Sequence, residues 1–435
     1  MNDTPRVLIL GGYGLIGAGV MRVLRQNGVT VVGFGRSKTS AYRADPDGEW
    51  RFGDLRHIKT PEDWSGYLRG VDYVVNAAGA LQDGPEDDLQ SVHFTAVKAL
   101  AQACRAQDIA LVQISAIGAE HTASTSFMRS KAQGDDAVRS AGGRHWILRP
   151  GLVIARTGYG GTALLRMLSA VPIVQPIALP DVPIQSIGLD DLAQAVRACL
   201  GGQIKAGFCA DLVEPEAHRL ESVIVQMRAW LGFAAPKKTL KAPRWSVSMV
   251  GVIADGLGRL GWRSPLRSNA LLTLQDGVTG DPAVWAAAGG NAIRPLEQIL
   301  QEMPARREDR IAARMDLLMP VCVGTLAVFW VFSGLIGLAR IDAAAQTLVQ
   351  VGWSHSLALA SVGFWALVDI ALGVGILRRR YARKTCIAMI AVCVIYLASA
   401  SAVTPFLWLD PLGPLLKILP ALILCLTTLA LLEDR

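Results

Sequence analysis

Up to about Arg314 the chain alternates short apolar runs with stretches that mix charged and apolar residues; beyond it, long apolar stretches are parted by short polar ones. The runs RVLIL (6–10), VTVVGFGRS (29–37), VDYVVNAAGA (71–80), LVQISAIGA (111–119) and HWILRPGLVIA (145–155) read as strands, with helical patterns between them. Strands and helices that alternate over the first 200 residues predict an α/β head, a doubly wound parallel sheet. The apolar stretches at about 317–339, 356–377, 385–403 and 411–432 each approach the roughly 20 residues that a helix needs to cross the hydrocarbon core. They predict an all-α transmembrane four-helix bundle. Lys417 and Pro420 interrupt the last stretch, and Lys417 can snorkel to the interface.

Between these parts, residues 222–233 and 242–262 predict amphipathic helices that cap the sheet. The second carries Trp245 and Trp262 near its ends, which suits either a buried core helix or one lying against a bilayer. A further helix is expected at 295–302, ending before Pro304.

Charge and composition sharpen the division. Mean hydropathy is +0.35, high for a water-soluble chain, and the formal charge is +7. The basic residues gather at Arg306, Arg307, Arg310 and Arg314, before the first span, and in RRRYARK (378–384), between the second and third. That bias places the head, the 378–384 loop and the C-terminus in the cytoplasm, on a multi-pass protein of the cell inner membrane. No basic stripe interleaved with aromatics and no zinc spacing occurs, which argues against nucleic acid and metal. The seven cysteines form no CxxC pair, and four lie in the apolar tail, where they read as small buried hydrophobes. RVLIL begins after only five residues and runs into glycines, so the N-terminus reads as a first strand rather than a signal peptide.

The candidate chemistry starts at RVLILGGYGLIGAGVMRVLRQNG (6–28), a strand, a turn with Gly11, Gly14 and Gly17, and a helix. The first glycine allows a tight turn, the second a close approach to a pyrophosphate, and the third close helix packing. Tyr13, Leu15 and Ile16 complete the turn, whose helix N-terminus offers N–H groups to phosphate. The second strand ends at Gly35-Arg36 with no carboxylate to select a ribose 2′-hydroxyl. Arg36 can pair with a 2′-phosphate, which favours NADP(H) over NAD(H); the alternative is an ordinary strand-end charge. Asp54 and Leu55 in FGDLR stand where they could meet the adenine, and Ala77, Ala78 and Gly79 leave room for a cofactor. Ser115 would sit at the carboxyl edge of its strand, where ligands bind in open parallel sheets. The divisions that follow are a cofactor-binding head at 1–210, a capping region and linker at 211–314, and a membrane domain at 315–435.

The glycine turn, GDL, NAAG, the Ser115 strand, Lys131 and RPG (149–151) together resemble the short-chain dehydrogenase/reductase superfamily over residues 6 to about 200. The resemblance is to its extended and atypical branch, near the complex I accessory subunit group. It implies that Lys131 grips the nicotinamide ribose and that Ser115 lines the reaction pocket. FWVFSGLIGL in the first span and ALVDIALGVGIL in the second resemble the DoxX-like membrane family.

One departure matters. In the superfamily a tyrosine stands four residues before the lysine and passes a proton as hydride moves; here that position is Phe127. Losing a positioned acid costs about 100- to 10,000-fold in rate. Tyr159, after the strand at 145–155, or His121, before the Lys131 helix, is the candidate to stand in. Ser124, Thr125 and Ser126 read as N-cap chemistry for a helix at 127–138. In the second span, Asp369 is an ionisable group in the membrane, with His355, Tyr396 or Lys417 as partner, and serves either as a bond between helices or as part of a site. These readings lead to a membrane-anchored NADP(H)-dependent oxidoreductase for a lipophilic substrate, a quinone or isoprenoid-like lipid. The alternative is a non-catalytic NADPH-binding scaffold or redox sensor in a membrane complex.

Overall fold

A computed structural model describes residues 4–84, 88–262 and 266–433. It divides into two compact units, Met1–Asp255 with Ser264–Ala313, and Gly256–Arg263 with Arg314–Arg435.

The first unit is built on a parallel sheet of seven strands. They are β1 (Arg6–Leu10), β2 (Thr30–Gly35), β3 (Glu49–Phe52), β4 (Tyr73–Asn76), β5 (Ala110–Ile114), β6 (His145–Pro150) and β7 (Phe208–Leu212). Their spatial order is β7-β6-β5-β4-β1-β2-β3, so the order reverses between β1 and β4. That reversal opens a crevice at the carboxyl ends of the strands, where doubly wound sheets bind ligands. Alternation within β1 shows how both faces are covered. Val7 and Ile9 pack with helices Leu15–Gln26 and Leu189–Leu200, while Leu8 and Leu10 pack with Trp64 and helix Ala96–Ala106.

Two strands are shorter than their apolar runs. β5 stops at Ile114, which leaves Ser115 just past the carboxyl edge. The run 145–155 breaks at Gly151, and Leu152–Ile154 leaves the sheet to pair with Ser186–Gly188. A Cβ at Gly151 would lie 2.5 Å from Gln185 O, so the crossing needs glycine. The helix predicted at 127–138 spans Ser126–Ala141, and Thr125 caps it by accepting from Met128 N. The helices at 220–230, 244–259 and 296–302 follow the expected pattern.

A buried carboxylate ties the lobe beyond β6 together. Glu214 Oε1 accepts from Ser186 N and Oγ, both at 2.7 Å, and Oε2 from Leu296 N at 2.7 Å. His218 Nε2 lies 3.1 Å from Oε2. Glu214 is 1% exposed, so these groups replace its water.

In the second unit, three helices among the described residues are long and apolar enough to cross a membrane: Arg307–Ala339, which begins in the first unit, His355–Ile376 and Arg379–Val403. The expected fourth stretch, 411–432, is helical only from Ile418 to Glu433. Those 16 residues span about 24 Å, short of the ~30 Å hydrocarbon core. Pro411, Gly413 and Pro414 keep the preceding segment out of a helix. Pro420 sits in the first turn, where its missing N–H is not needed. A short helix, Ile341–Val349, follows the first span and was not apparent in the apolar pattern. Asp369 is buried and joins three helices: Ser333 Oγ donates to its Oδ2 at 2.9 Å and Tyr396 Oη to its Oδ1 at 3.0 Å. Of the partners considered, Tyr396 fills that role.

Replacing Glu214 by Leu leaves three buried donors without an acceptor. It is expected to destabilise the head by ~3 kcal/mol or more, read as a lowered Tm in detergent, with Glu214→Gln milder. A loss below ~1 kcal/mol would show that the knot is solvated.

Candidate functional site

Close backbone approach builds the glycine turn. Gly11 lies at φ +71°, and a Cβ there would meet Ala77 O and Ala78 Cα at 3.0 Å. A Cβ on Gly17 would lie 2.2 Å from Gly11 O, so glycine lets the helix start this close to β1. The N-cap is Gly14, which has no side chain, and the first-turn N–H groups are left to face an anion. Leu15 and Ile16 open that helix. Tyr13 spans from the turn to β2: its Oη accepts from Arg36 N at 3.1 Å and Ser37 N at 3.3 Å. A Cβ on Gly35 would lie 2.2 Å from the Tyr13 ring. Arg36 is thereby fixed beside the turn, with an exposed side chain.

Asp54 and Leu55 follow β3 and both have internal partners. Asp54 Oδ2 accepts from Arg56 Nη2 at 2.6 Å, and that bond holds its carboxyl below the usual range. Leu55 is buried with Phe34, Ile58 and Trp64. Ala77, Ala78 and Gly79 continue from β4 as a loop, with Ala78 N donating to Asn76 Oδ1 at 3.2 Å.

Beside this loop lies a buried polar network. Lys131 is 7% exposed and its Nζ donates to Ile114 O at 3.0 Å. Burial pushes its pKa down to about 8, against the pull of the Asp135 carboxylate one helical turn on. Asp135 is buried, and its Oδ2 accepts from Ser115 Oγ at 2.8 Å and from Arg149 Nε and Nη2 at 3.3 Å. Burial raises its pKa, opposed by Ser115, Arg149 and Lys131. Next to it, His93 Nε2 accepts from Ala80 N at 3.1 Å. Its Nδ1 proton then goes to Ser130 Oγ at 2.9 Å, and Ser130 Oγ donates to Phe127 O at 2.8 Å. Burial, then the Lys131 charge, holds His93 well below its ordinary pKa, in keeping with this neutral tautomer. A Cβ on Gly79 would lie 3.3 Å from His93 Nε2 and 3.7 Å from Lys131 Nζ, so the bare glycine leaves both groups beside the loop.

Phe127 packs edge-on against the His93 ring, with centroids 5.4 Å apart. The two candidate stand-ins lie elsewhere. His121 Nε2 is 2.6 Å from Asp136 Oδ2, in a pair that is half exposed. Tyr159 is 53% exposed and lines a cavity of about 700 Å³ with Tyr13, Gly14, Leu15, Arg156 and Arg294. Neither Ser115 nor Lys131 lines that cavity. The structure therefore brings together Ser115, Lys131 and the Ala77–Gly79 loop, and puts Tyr159 with the glycine turn. Sequence reasoning missed Asp135 and His93. Asp135 had a signal, its place four residues after Lys131 on one helix face; His93 had none, since its partners are distant in the chain.

Residues 7–169 match the NAD dependent epimerase/dehydratase family, and residues 327–426 match the DoxX-like family. A ceramide reductase of Caulobacter vibrioides is 27% identical over 195 residues, which are 44% of this chain and 60% of that protein. The match therefore spans about three fifths of that relative's length. An NADPH-dependent quinone oxidoreductase from Escherichia coli, solved with NADPH, superposes with TM-score 0.52 at 16% identity, over 68% of this chain and 99% of that one. A triphenylmethane reductase from Citrobacter sp., solved with NADP(H), gives TM-score 0.51 at 15% identity, over 68% and 99%. These two likenesses are of fold. The uncapped helix N-terminus and the bare Gly79 fit a nicotinamide dinucleotide.

Lys131 supplies a pH test of that fit. Below about 8 it is charged, and as pH rises through about 8 the ammonium is lost. Dinucleotide affinity is expected to fall across that range in calorimetry. In Lys131→Met affinity should be weaker and flat over the same range. An unchanged profile in the variant would remove Lys131 from the site.

Proposed function

We propose that this chain, a short-chain-dehydrogenase-like NAD(P)-binding head joined to a DoxX-like membrane domain, is an NADP(H)-dependent reductase of a lipophilic substrate. The observation that carries the reading is the pairing, on one chain with membrane-spanning helices, of the glycine turn with the buried Lys131 cluster. Anchoring holds the head near a substrate that partitions into the bilayer, a quinone or isoprenoid-like lipid. The ceramide reductase relative supports a lipid as the substrate class.

In this reading the turn from Gly11 to Gly17 binds the pyrophosphate, Arg36 pairs with the 2′-phosphate, and Lys131 holds the ribose hydroxyls. The dinucleotide supplies a hydride when bound. With Phe127 in place of the phenol, the proton comes from Ser115 Oγ. Ser115 Oγ donates to Asp135 Oδ2 at 2.8 Å, and that bond keeps the hydroxyl at the carboxyl edge of the sheet. Phe127 also supports a second reading, a scaffold or sensor that holds NADPH without turnover.

Arg36 and Phe127 give the deciding measurements. NADPH oxidation by the full protein, with added quinone or a membrane lipid extract, should exceed NADH oxidation. Arg36→Asp should weaken NADPH binding about tenfold or more and reverse that preference. Equal use of the two dinucleotides would overturn the Arg36 assignment. Phe127→Tyr should raise a slow rate if the proton step limits it. Absence of turnover with every lipid, alongside tight NADPH binding, would favour the scaffold.

The same reading puts the head and C-terminus in the cytoplasm of an inner-membrane protein, on the strength of the basic residues at 306–314 and 378–384. The short helix Ile418–Glu433 then crosses with Lys417 at the far interface and some local thinning of the bilayer. A reporter fused after Arg435 is expected to be active only in the cytoplasm. Periplasmic activity would make that helix a surface element.

A further inference from the structure

Helix Arg244–Arg259 has two faces with opposite environments. On one, Gly251 and Ala254 are buried, and a Cβ at Gly251 would come within 2.8 Å of Ser268 Oγ. Helix Ser268–Gln275 crosses there, and Asp255 Oδ1 accepts from Arg267 Nε at 3.1 Å and Ser268 N at 3.3 Å. On the other face, Trp245, Met249, Val252 and Ile253 stand at i, i+4, i+7 and i+8, a single helical stripe. All four are exposed, Trp245 at 66% and Val252 at 68%.

The stripe has apolar and basic neighbours in the chain. Strand Lys238–Lys241 carries Leu240, which is 56% exposed, beside exposed Lys237, Lys238 and Lys241. That strand pairs with Val174–Ile177. Ile173, just before, is 66% exposed at φ +66°, a backbone strained for a β-branched residue.

Beyond the helix the chain reaches a membrane span. Trp262 Nε1 donates to Leu377 O at 2.6 Å, one residue past the end of helix His355–Ile376. Arg379 N donates to Leu260 O at 3.0 Å, and its guanidinium lies 5.6 Å from the centre of the Trp262 ring. Leu260 and Trp262, just past the helix, are thus bonded to the residues that follow a candidate membrane span.

We propose that helix Arg244–Arg259 lies in the bilayer interface, its Trp245–Met249–Val252–Ile253 stripe among the acyl chains and Lys237, Lys238 and Lys241 against anionic lipid headgroups. An apolar stripe flanked by lysines matches that surface in both chemistry and charge. The contact would hold a head residue set at the membrane whether or not the head turns over a substrate.

The test uses full-length protein in nanodiscs that hold a single copy, made of phosphatidylcholine and phosphatidylglycerol. A fluorophore sensitive to polarity is attached at Val252→Cys, with Thr122→Cys as an exposed control, in a Cys209→Ser, Cys322→Ser background. At position 252 the emission should shift to the blue. Quenching there by nitroxide-labelled lipid should exceed quenching by iodide several-fold, with the reverse at position 122. Iodide quenching at 252 equal to that at 122 would overturn the proposal. So would protection that appears only when discs hold two copies, which would make a second chain the occupant. Combining Lys237→Glu, Lys238→Glu and Lys241→Glu should reduce the lipid quenching in phosphatidylglycerol discs. No change with either headgroup or variant would overturn the anionic contact.

Discussion

The buried Lys131 ammonium is the constraint on which the candidate site depends. A charge taken out of water is costly unless polar partners surround it. Here Ile114 O takes one N–H, and Asp135 supplies an opposite charge from the next turn of the same helix. Asp135 is itself buried, so it in turn needs Ser115 and Arg149. The chain of dependence joins the end of β5, the helix Ser126–Ala141 and β6. Those elements meet at the carboxyl edge of the sheet, where these bonds serve Lys131 Nζ and Asp135 Oδ2.

The same rule acts at two other places. Glu214, two residues past the carboxyl end of β7, is buried and collects Ser186 and Leu296 around one carboxylate. Asp369 does so among membrane helices, where Ser333 and Tyr396 donate. Small residues let those helices come close enough: a Cβ at Gly334 would lie 2.3 Å from Ala366 O. The head and the membrane unit thus share a device, a buried carboxyl that fixes neighbouring elements.

Much of this was legible in the sequence, for physical reasons that differ by element. The glycine turn was, because Gly11 and Gly17 have steric duties that no other residue can perform. The Thr125 cap was, because a hydroxyl before a helical pattern has a local partner. Three spans were, because length and hydropathy suffice to mark them. The edge strand β7 and the shortened last helix were not. Each depends on a neighbour remote in sequence or on a run of Pro and Gly inside an apolar stretch. His93 belongs with these, since Ala80, Ser130 and Phe127 become its partners only after folding.

Phe127 then acquires a meaning that the motif alone does not give. A tyrosine at that position would bring a hydroxyl that needs a partner when buried. Phenylalanine needs none and offers its ring to His93, which is already satisfied at both nitrogens. The Nδ1 proton of the imidazole is engaged by Ser130, and the place of the ring is to hold the Ala80 N–H and the Phe127 carbonyl in register through Ser130. Lys131, freed from tuning a phenol, keeps its contact with Ile114 O and its closeness to Gly79. Near the loop stand the Lys131 ammonium, the Ser115 hydroxyl and the Asp135 carboxyl behind it. In the proposed reading the proton that reaches a substrate at this edge leaves from that serine, which the Asp135 carboxyl orients.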